Sequence, residues 1–192
     1  RLYGADLRLV PAAPYKDPNN YVRYSERLAA ELSQTTEGGV IWANQFDNTV
    51  NRHGHYTSTG PEIWSQTDGK VDGFICAIGS GGTLAGTGLY LKEQNPAIKI
   101  LGVDAYGSIL KAFHETGEID EKEIYPYRIE GLGKNLIPTA TNFDIIDQYE
   151  KVTDKEAALK AREIVIKEGI FSGYTSGAVM QAATQYNDKK VF

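Results

Sequence analysis

The sequence is short of most features that identify a protein quickly. It has one cysteine, one methionine and three histidines in 192 residues. A single cysteine excludes a disulfide within the chain, which fits a cytosolic protein. That residue, Cys76, sits inside an apolar run and is expected to be a small core side chain. The histidines lack metal-ligand spacing except for His53 and His55, and these flank an expected helix start, so no metal site is expected. No apolar run approaches membrane-spanning length, and no signal peptide is visible. Charge of one sign is also missing. The 20 basic and 25 acidic residues are interspersed, which argues against nucleic-acid and membrane-surface partners. There is no internal repeat, no low-complexity tract and no Gly-x-x-x-x-Gly-Lys-Ser/Thr, so a nucleoside triphosphate loop is excluded.

Glycine is what the chain has, with 20 residues, and five positions concentrate its meaning. Gly79-Ser80-Gly81-Gly82-Thr83 follows the apolar run Gly73-Phe74-Ile75-Cys76-Ala77-Ile78, read as a buried parallel strand, and precedes a helix beginning near Leu84. Strand, glycine turn and helix start together present backbone N–H groups at the positive end of a helix, where a phosphate gains about 0.3–2 kcal/mol from the dipole. One glycine would serve a tight turn; three glycines and two hydroxyls point to an anion cradle. The spacing misses Gly-x-Gly-x-x-Gly because Leu84 occupies the third glycine position, so a dinucleotide fits poorly.

The remaining pattern is α/β. Asp6–Val10 alternates like a strand, and Asn20 is placed to cap a helix from Tyr21 to Leu32 with Val22, Leu28, Ala29 and Leu32 on one face. Val40-Ile41-Trp42 reads as a short buried strand, and Asn44-Gln45-Phe46-Asp47-Asn48 as a polar link of the kind that carries ligand contacts. A helix is expected from His55 to Gln66, with Pro61 disturbing its middle. Ile98–Asp104 is a second buried strand, Ser108–Thr116 a short helix, and Ile145–Val152 a third strand. Thr153 and Glu156 form a capping box for a helix with Ala157, Ala161, Ile164 and Val165 as its buried stripe, closed by Gly169. A last helix runs from Ala178 to Tyr186, and a new strand should begin at Lys190-Val191-Phe192. Helices alternating with apolar strands predict a mostly parallel sheet covered on both faces. The length suits one domain, or one and part of another, and both ends read as cut, so a fragment of a longer protein is expected.

Five ordered motifs carry a resemblance. They are Asn44–Asn48, Thr59-Gly60-Pro61-Glu62-Ile63-Trp64, Gly79–Thr83, Gly102-Val103-Asp104 with Glu130-Gly131-Leu132-Gly133, and Glu168–Ala178. Over essentially its whole length the chain resembles the fold-type II pyridoxal-phosphate enzymes, specifically the cysteine synthase and cystathionine β-synthase family. The resemblance implies a three-layer α/β fold like the tryptophan synthase β subunit, with residues 1–42 in a smaller N-terminal domain and residues 43–192 in the larger, phosphate-holding one. It implies pyridoxal 5'-phosphate as cofactor, with Gly79, Ser80, Gly81, Gly82 and Thr83 on its phosphate and Thr175 at its pyridine nitrogen. From the residues alone, Thr175 reads equally well as a helix N-cap. Gln45 matches a contact to the substrate carboxylate, and Gly131 and Gly133 a loop that lets the backbone approach the substrate.

The activity implied is β-replacement on serine or an O-activated serine. Gly102–Leu110 and Glu130–Gly133 look like cystathionine β-synthase, although Lys134-Asn135 stands where that branch commonly carries aromatic and acidic residues. The stretch Thr59–Trp64 looks like cysteine synthase, which is the alternative. No lysine present matches the family's Schiff-base lysine, nor is there a counterpart of its Thr-Ser-Gly-Asn-Thr-Gly loop; both are expected upstream, so no catalytic residue is assigned. Rival readings are a catalytically inactive pyridoxal-phosphate-binding homologue and an NAD-dependent oxidoreductase using Asp104 as a ribose-binding acid. The resemblance further implies amino-acid substrates, a homodimer and a cytoplasmic location.

Overall fold

The structure, a computed structural model, describes residues 2–189; the strand expected at Lys190-Val191-Phe192 lies outside the described residues. The chain divides into two compact units, residues 1–44 and 45–192.

In the first unit, α1 (Tyr21–Leu32) starts where its cap predicts. Asn20 accepts the Val22 N–H at 3.0 Å and donates to the Ala13 carbonyl at 2.8 Å, so one amide caps the helix and ties down the proline-bearing link before it. Val22, Leu28, Ala29 and Leu32 share a half-buried face as expected. Neither expected strand forms. Asp6–Val10 and Val40–Trp42 lie in irregular backbone, with Leu9 82% and Ile41 96% exposed. Alternation describes a strand only once a neighbour supplies the ladder, and none is present among the described residues of this unit.

In the second unit the single helix expected from His55 to Gln66 is two, α2 (Val50–Thr57) and α3 (Thr59–Gln66), broken at Ser58. Pro61 explains the break: in a continuous helix its ring would meet the Thr57 carbonyl, whereas in the first turn of α3 its missing N–H is not needed. Three parallel strands follow in spatial order, β1 (Gly73–Ala77), β2 (Lys99–Ala105) and β3 (Gln148–Val152). Gly73 stands opposite Lys99, and Leu101 opposite Gln148. The third strand starts later than expected because Phe143–Ile145 winds into a single 3-10 turn capped by Asn142.

The connections are α4 (Gly82–Gln94) and α5 (Leu110–Thr116); α6 (Asp154–Glu168) and α7 (Tyr174–Lys189) follow β3. Alternating side chains sort the strands between two cores. Phe74 and Cys76 pack with Ile78, Leu84, Leu91, Ile100 and Tyr149, while Ile75 and Ala77 pack with Val103, Val152, Ala157 and Ala178. Cys76 is thus a core residue, and burial pushes its thiol up to about 11. Thr153 and Glu156 form the capping box on α6, and Gly169 closes it in the left-handed region. Ala157 is buried and Ala161 and Ile164 half-buried, but Val165, expected in the stripe, is 36% exposed.

Candidate functional site

The turn after β1 is built by the end of the ladder. Ile78 donates to the Val103 carbonyl at 3.1 Å, and the chain then leaves the sheet. Gly81 caps α4 with φ +84°, and no side chain caps the helix. The first intrahelical donor is Ala85, to Gly81 at 2.9 Å. From Gly79 to Leu84, no backbone N–H reaches a protein acceptor among the described residues, although Gly81 and Gly82 are buried. Buried N–H groups left unpaired at the positive end of a helix fit a phosphate.

The glycines themselves need a different account from the one their number suggests. A side chain on Gly81 would collide with Thr141, one on Gly82 with Asn51, and one on Gly79 with the Gly131 carbonyl. Packing against protein requires glycine at positions 79 and 81, and Gly82 leaves room for the Asn51 amide, so three glycines do not by themselves indicate an anion. The unpaired donors do.

The two hydroxyls of the turn are oriented from outside it. Asn51 uses both amide hydrogens, one on the Gln45 carbonyl and one on Ser80 Oγ, each at 3.0 Å. With its oxygen already accepting, Ser80 keeps its own hydrogen for a ligand. Thr83 Oγ1 lies 3.1 Å from His55 Nε2, and His55 Nδ1 lies 2.9 Å from Thr59 Oγ1. If Thr59 donates to Nδ1, the proton of the imidazole sits on Nε2 and Thr83 accepts it, which frees the Thr83 hydrogen as well. His55 is thus held between two hydroxyls.

The second glycine loop packs on the first. Gly133 donates to the Ile78 carbonyl at 2.7 Å, and the Gly131 carbonyl lies against Gly79. Both Gly131 and Gly133 have positive φ, and a side chain on Gly133 would strike Ser108 and Tyr127. Gln45 is exposed, joined to Ser80 through Asn51. Asp104, the acid of the nicotinamide reading, is fully buried, and its oxygens accept the Ala105 N–H at 2.9 Å and the Lys111 N–H at 3.0 Å. Burial pushes its carboxyl up despite these bonds, and no ribose can reach it.

Gly79–Thr83, Gly131, Gly133 and Gln45 are therefore brought together. Thr175 is half-buried in the first turn of α7, and no hydrogen bond joins it to the glycine turn among the described residues. Its N-cap reading is overturned. The helix begins earlier than expected, at Tyr174, and the Gly173 carbonyl accepts from Ser176 at 3.1 Å and Gly177 at 3.4 Å, so Gly173 holds the cap position. Sequence reasoning missed Asn51, His55 and Thr141, whose hydroxyl donates to the Ser80 carbonyl at 3.1 Å. Asn51 and His55 are four residues apart, one helical turn, a signal hidden by starting the helix at His55. Nothing local marks Thr141.

Comparison with known proteins points to a phosphate-bearing cofactor. The family model described as "Pyridoxal-phosphate dependent enzyme" matches residues 1–192. The chain is 35% identical over 192 residues to "Cysteine synthase 1" of Neurospora crassa, covering 98% of this chain and 50% of that protein. It is 37% identical over 203 residues to "Cysteine synthase 2" of Schizosaccharomyces pombe, covering 98% and 51%. To "Cystathionine beta-synthase" of Oryctolagus cuniculus it is 34% identical over 186 residues, covering 96% and 32%. The chain spans about half the length of the curated cysteine synthases it matches.

Proposed function

The chain belongs to the pyridoxal-phosphate dependent enzymes, and from that premise we propose that it is part of an enzyme of β-replacement in sulfur amino-acid metabolism. The first reading is cystathionine β-synthase, joining serine to homocysteine. The observation that carries the proposal is the run of unpaired N–H groups from Gly79 to Leu84 at the start of α4, flanked by two oriented hydroxyls.

In this reading Gly79, Ser80, Gly81, Gly82 and Thr83 hold the cofactor phosphate, with Asn51 and His55 keeping the Ser80 and Thr83 hydrogens turned to it. When bound, pyridoxal phosphate supplies an electron sink for charge developing at the substrate α-carbon. Thr175 offers the ring nitrogen a neutral hydroxyl. A carboxylate there would hold a proton on that nitrogen; a hydroxyl does not, which favours loss of a β-substituent over full delocalisation. Gln45 takes the substrate carboxylate, and the Gly131–Gly133 loop lets the backbone close on the substrate. Residues 1–42 belong to the smaller domain and 43–192 to the larger. The lysine that carries the cofactor comes from the remainder of a homodimeric, cytoplasmic parent protein.

Cysteine synthase is the second reading, favoured by Thr59-Gly60-Pro61-Glu62-Ile63-Trp64, whose Thr59 holds His55. The visible spectrum of the parent protein, with L-serine and then with O-acetyl-L-serine, separates the readings. A cofactor band that shifts with serine supports cystathionine β-synthase, and one that shifts with O-acetylserine alone supports cysteine synthase. A parent whose cofactor band shifts with neither compound would favour the inactive homologue. Residues 1–192 alone are expected to show no turnover, and measurable β-replacement by them would refute the external lysine.

A further inference from the structure

Lys134 directly follows the Gly131-Leu132-Gly133 loop, and its backbone is fixed on both sides. Its N–H donates to Ser108 Oγ at 2.9 Å, and its carbonyl accepts from the Ile109 N–H at 3.0 Å. Its ammonium lies 4.8 Å from the centre of the Phe46 ring, and Phe46 is the residue after Gln45. This cation therefore stands between the two stretches assigned to the substrate.

Lys134 is half-buried, yet no carboxylate pairs with it among the described residues. Asp47, beside Phe46, is committed elsewhere: one oxygen accepts the Thr139 N–H at 3.1 Å and its hydroxyl at 2.8 Å. Glu130, at the other end of the loop, is exposed. An ammonium taken partly out of water without an anion is unfavourable, and an aromatic face offsets only part of that. Burial holds the Lys134 pKa below the ordinary lysine range, as expected for a cation lacking a counter-charge. A surface lysine with only a solvating role would extend into water, which a four-carbon stem readily permits.

We propose that Lys134 is the specificity-determining residue for the second substrate, its ammonium binding a carboxylate carried by the incoming thiol. The proposal rests on the β-replacement reading and deepens it: the preferred nucleophile is a thiol acid, ahead of hydrosulfide or a neutral thiol. The donor amino acid's own carboxylate has Gln45 as its proposed partner, which leaves the Lys134 ammonium for a second anion.

The test uses the parent holoenzyme with its Lys134→Met, Lys134→Gln and Lys134→Arg variants, and two thiols that differ in charge, 3-mercaptopropionate and 2-mercaptoethanol. Loss of one charge-assisted contact should raise KM for 3-mercaptopropionate about tenfold or more, with kcat, the donor's KM and the KM for 2-mercaptoethanol held within about twofold. Lys134→Arg should restore most of the discrimination, and calorimetric binding of unreactive propionate should weaken in parallel. The glutamine variant serves if the methionine variant fails to fold. An equal change for both thiols overturns the proposal, as does a rise in the donor's KM alone. Failure of the unaltered parent to turn over any thiol or sulfide removes the β-replacement reading and this proposal with it; turnover with unchanged discrimination removes this proposal alone.

Discussion

The two compact units are held by different forces. Among the described residues of the first, the only buried side chain is Asn20, a polar cap, and the apolar face of α1 is half-covered at best. The second buries two apolar clusters, one on each face of its sheet, with Leu84, Leu91, Ile98, Ile100, Val103 and Val152 essentially inaccessible. Hydrogen bonds fix the ends of a helix in either setting, but they exchange against water and contribute little net stability. Apolar area removed from water is what holds an assembly of elements together. Of the two units described, only the second has it in quantity.

The largest test of that contrast is a pair of deletions. Leu91→Ala empties a fully buried site in the first core cluster and should cost about 2–5 kcal/mol by urea unfolding. Ile41→Ala removes a side chain that is 96% exposed and should stay within about 0.5 kcal/mol. A comparable loss at Ile41 would mean that the first unit buries surface which the contrast denies it.

A matched pair of glycines sharpens the comparison. Gly39 in the first unit and Gly81 in the second share a φ of +84°. An added side chain at Gly39 meets nothing, whereas one at Gly81 collides with Thr141. Gly39→Ala should therefore cost only the left-handed backbone, about 1–2 kcal/mol. Gly81→Ala adds the collision, for about 2–4 kcal/mol in all, and should also weaken cofactor retention. Equal costs would show that Thr141 moves aside freely and that the glycine turn is not braced from behind.

The same division explains what could be read from the sequence. Caps and periodicity are local, so α1 with Asn20, α6 with its capping box and Gly169, and the apolar runs of β1 and β2 were all legible. A strand is not local. Asp6–Val10 has the right alternation but no ladder partner among the described residues, and its backbone is irregular. Pro61 marked a disturbance but not its place, because the ring acts on the residue four positions earlier. In the candidate site, the glycine turn and its strand–helix setting were legible, and their support was not. Asn51, His55 and Thr141 reach the turn across 29, 28 and 61 residues of sequence. No pattern within a window of one element contains such contacts. The glycine count misled for the same reason, since each glycine answers to a neighbour distant in sequence.

The smallest effect expected concerns acid. Asp147, between the 3-10 turn and β3, is partly shielded; burial opposes its charge, but the Ile100 N–H and the Lys92 ammonium, each at 2.8 Å, outweigh that and hold its pKa below the ordinary aspartate value. A carboxyl depressed in the folded state contributes stability above its unfolded pKa, and the contribution is lost as pH falls through the folded value. Asp6 in the first unit is paired with Arg8 at 3.1 Å, but its side chain is 77% exposed, so solvent screens the pair. At neutral pH, Asp147→Asn should cost about 1 kcal/mol and Asp6→Asn almost nothing. The decisive reading is the slope. Thermal midpoints followed from neutrality to below about pH 4 should fall less steeply in Asp147→Asn than in the parent, because the variant has no charge there to lose. A loss in Asp6→Asn at neutral pH as large as in Asp147→Asn would place a stabilising charged contact in the unit where no apolar side chain is buried among the described residues, and the contrast between the units would fail at its electrostatic end.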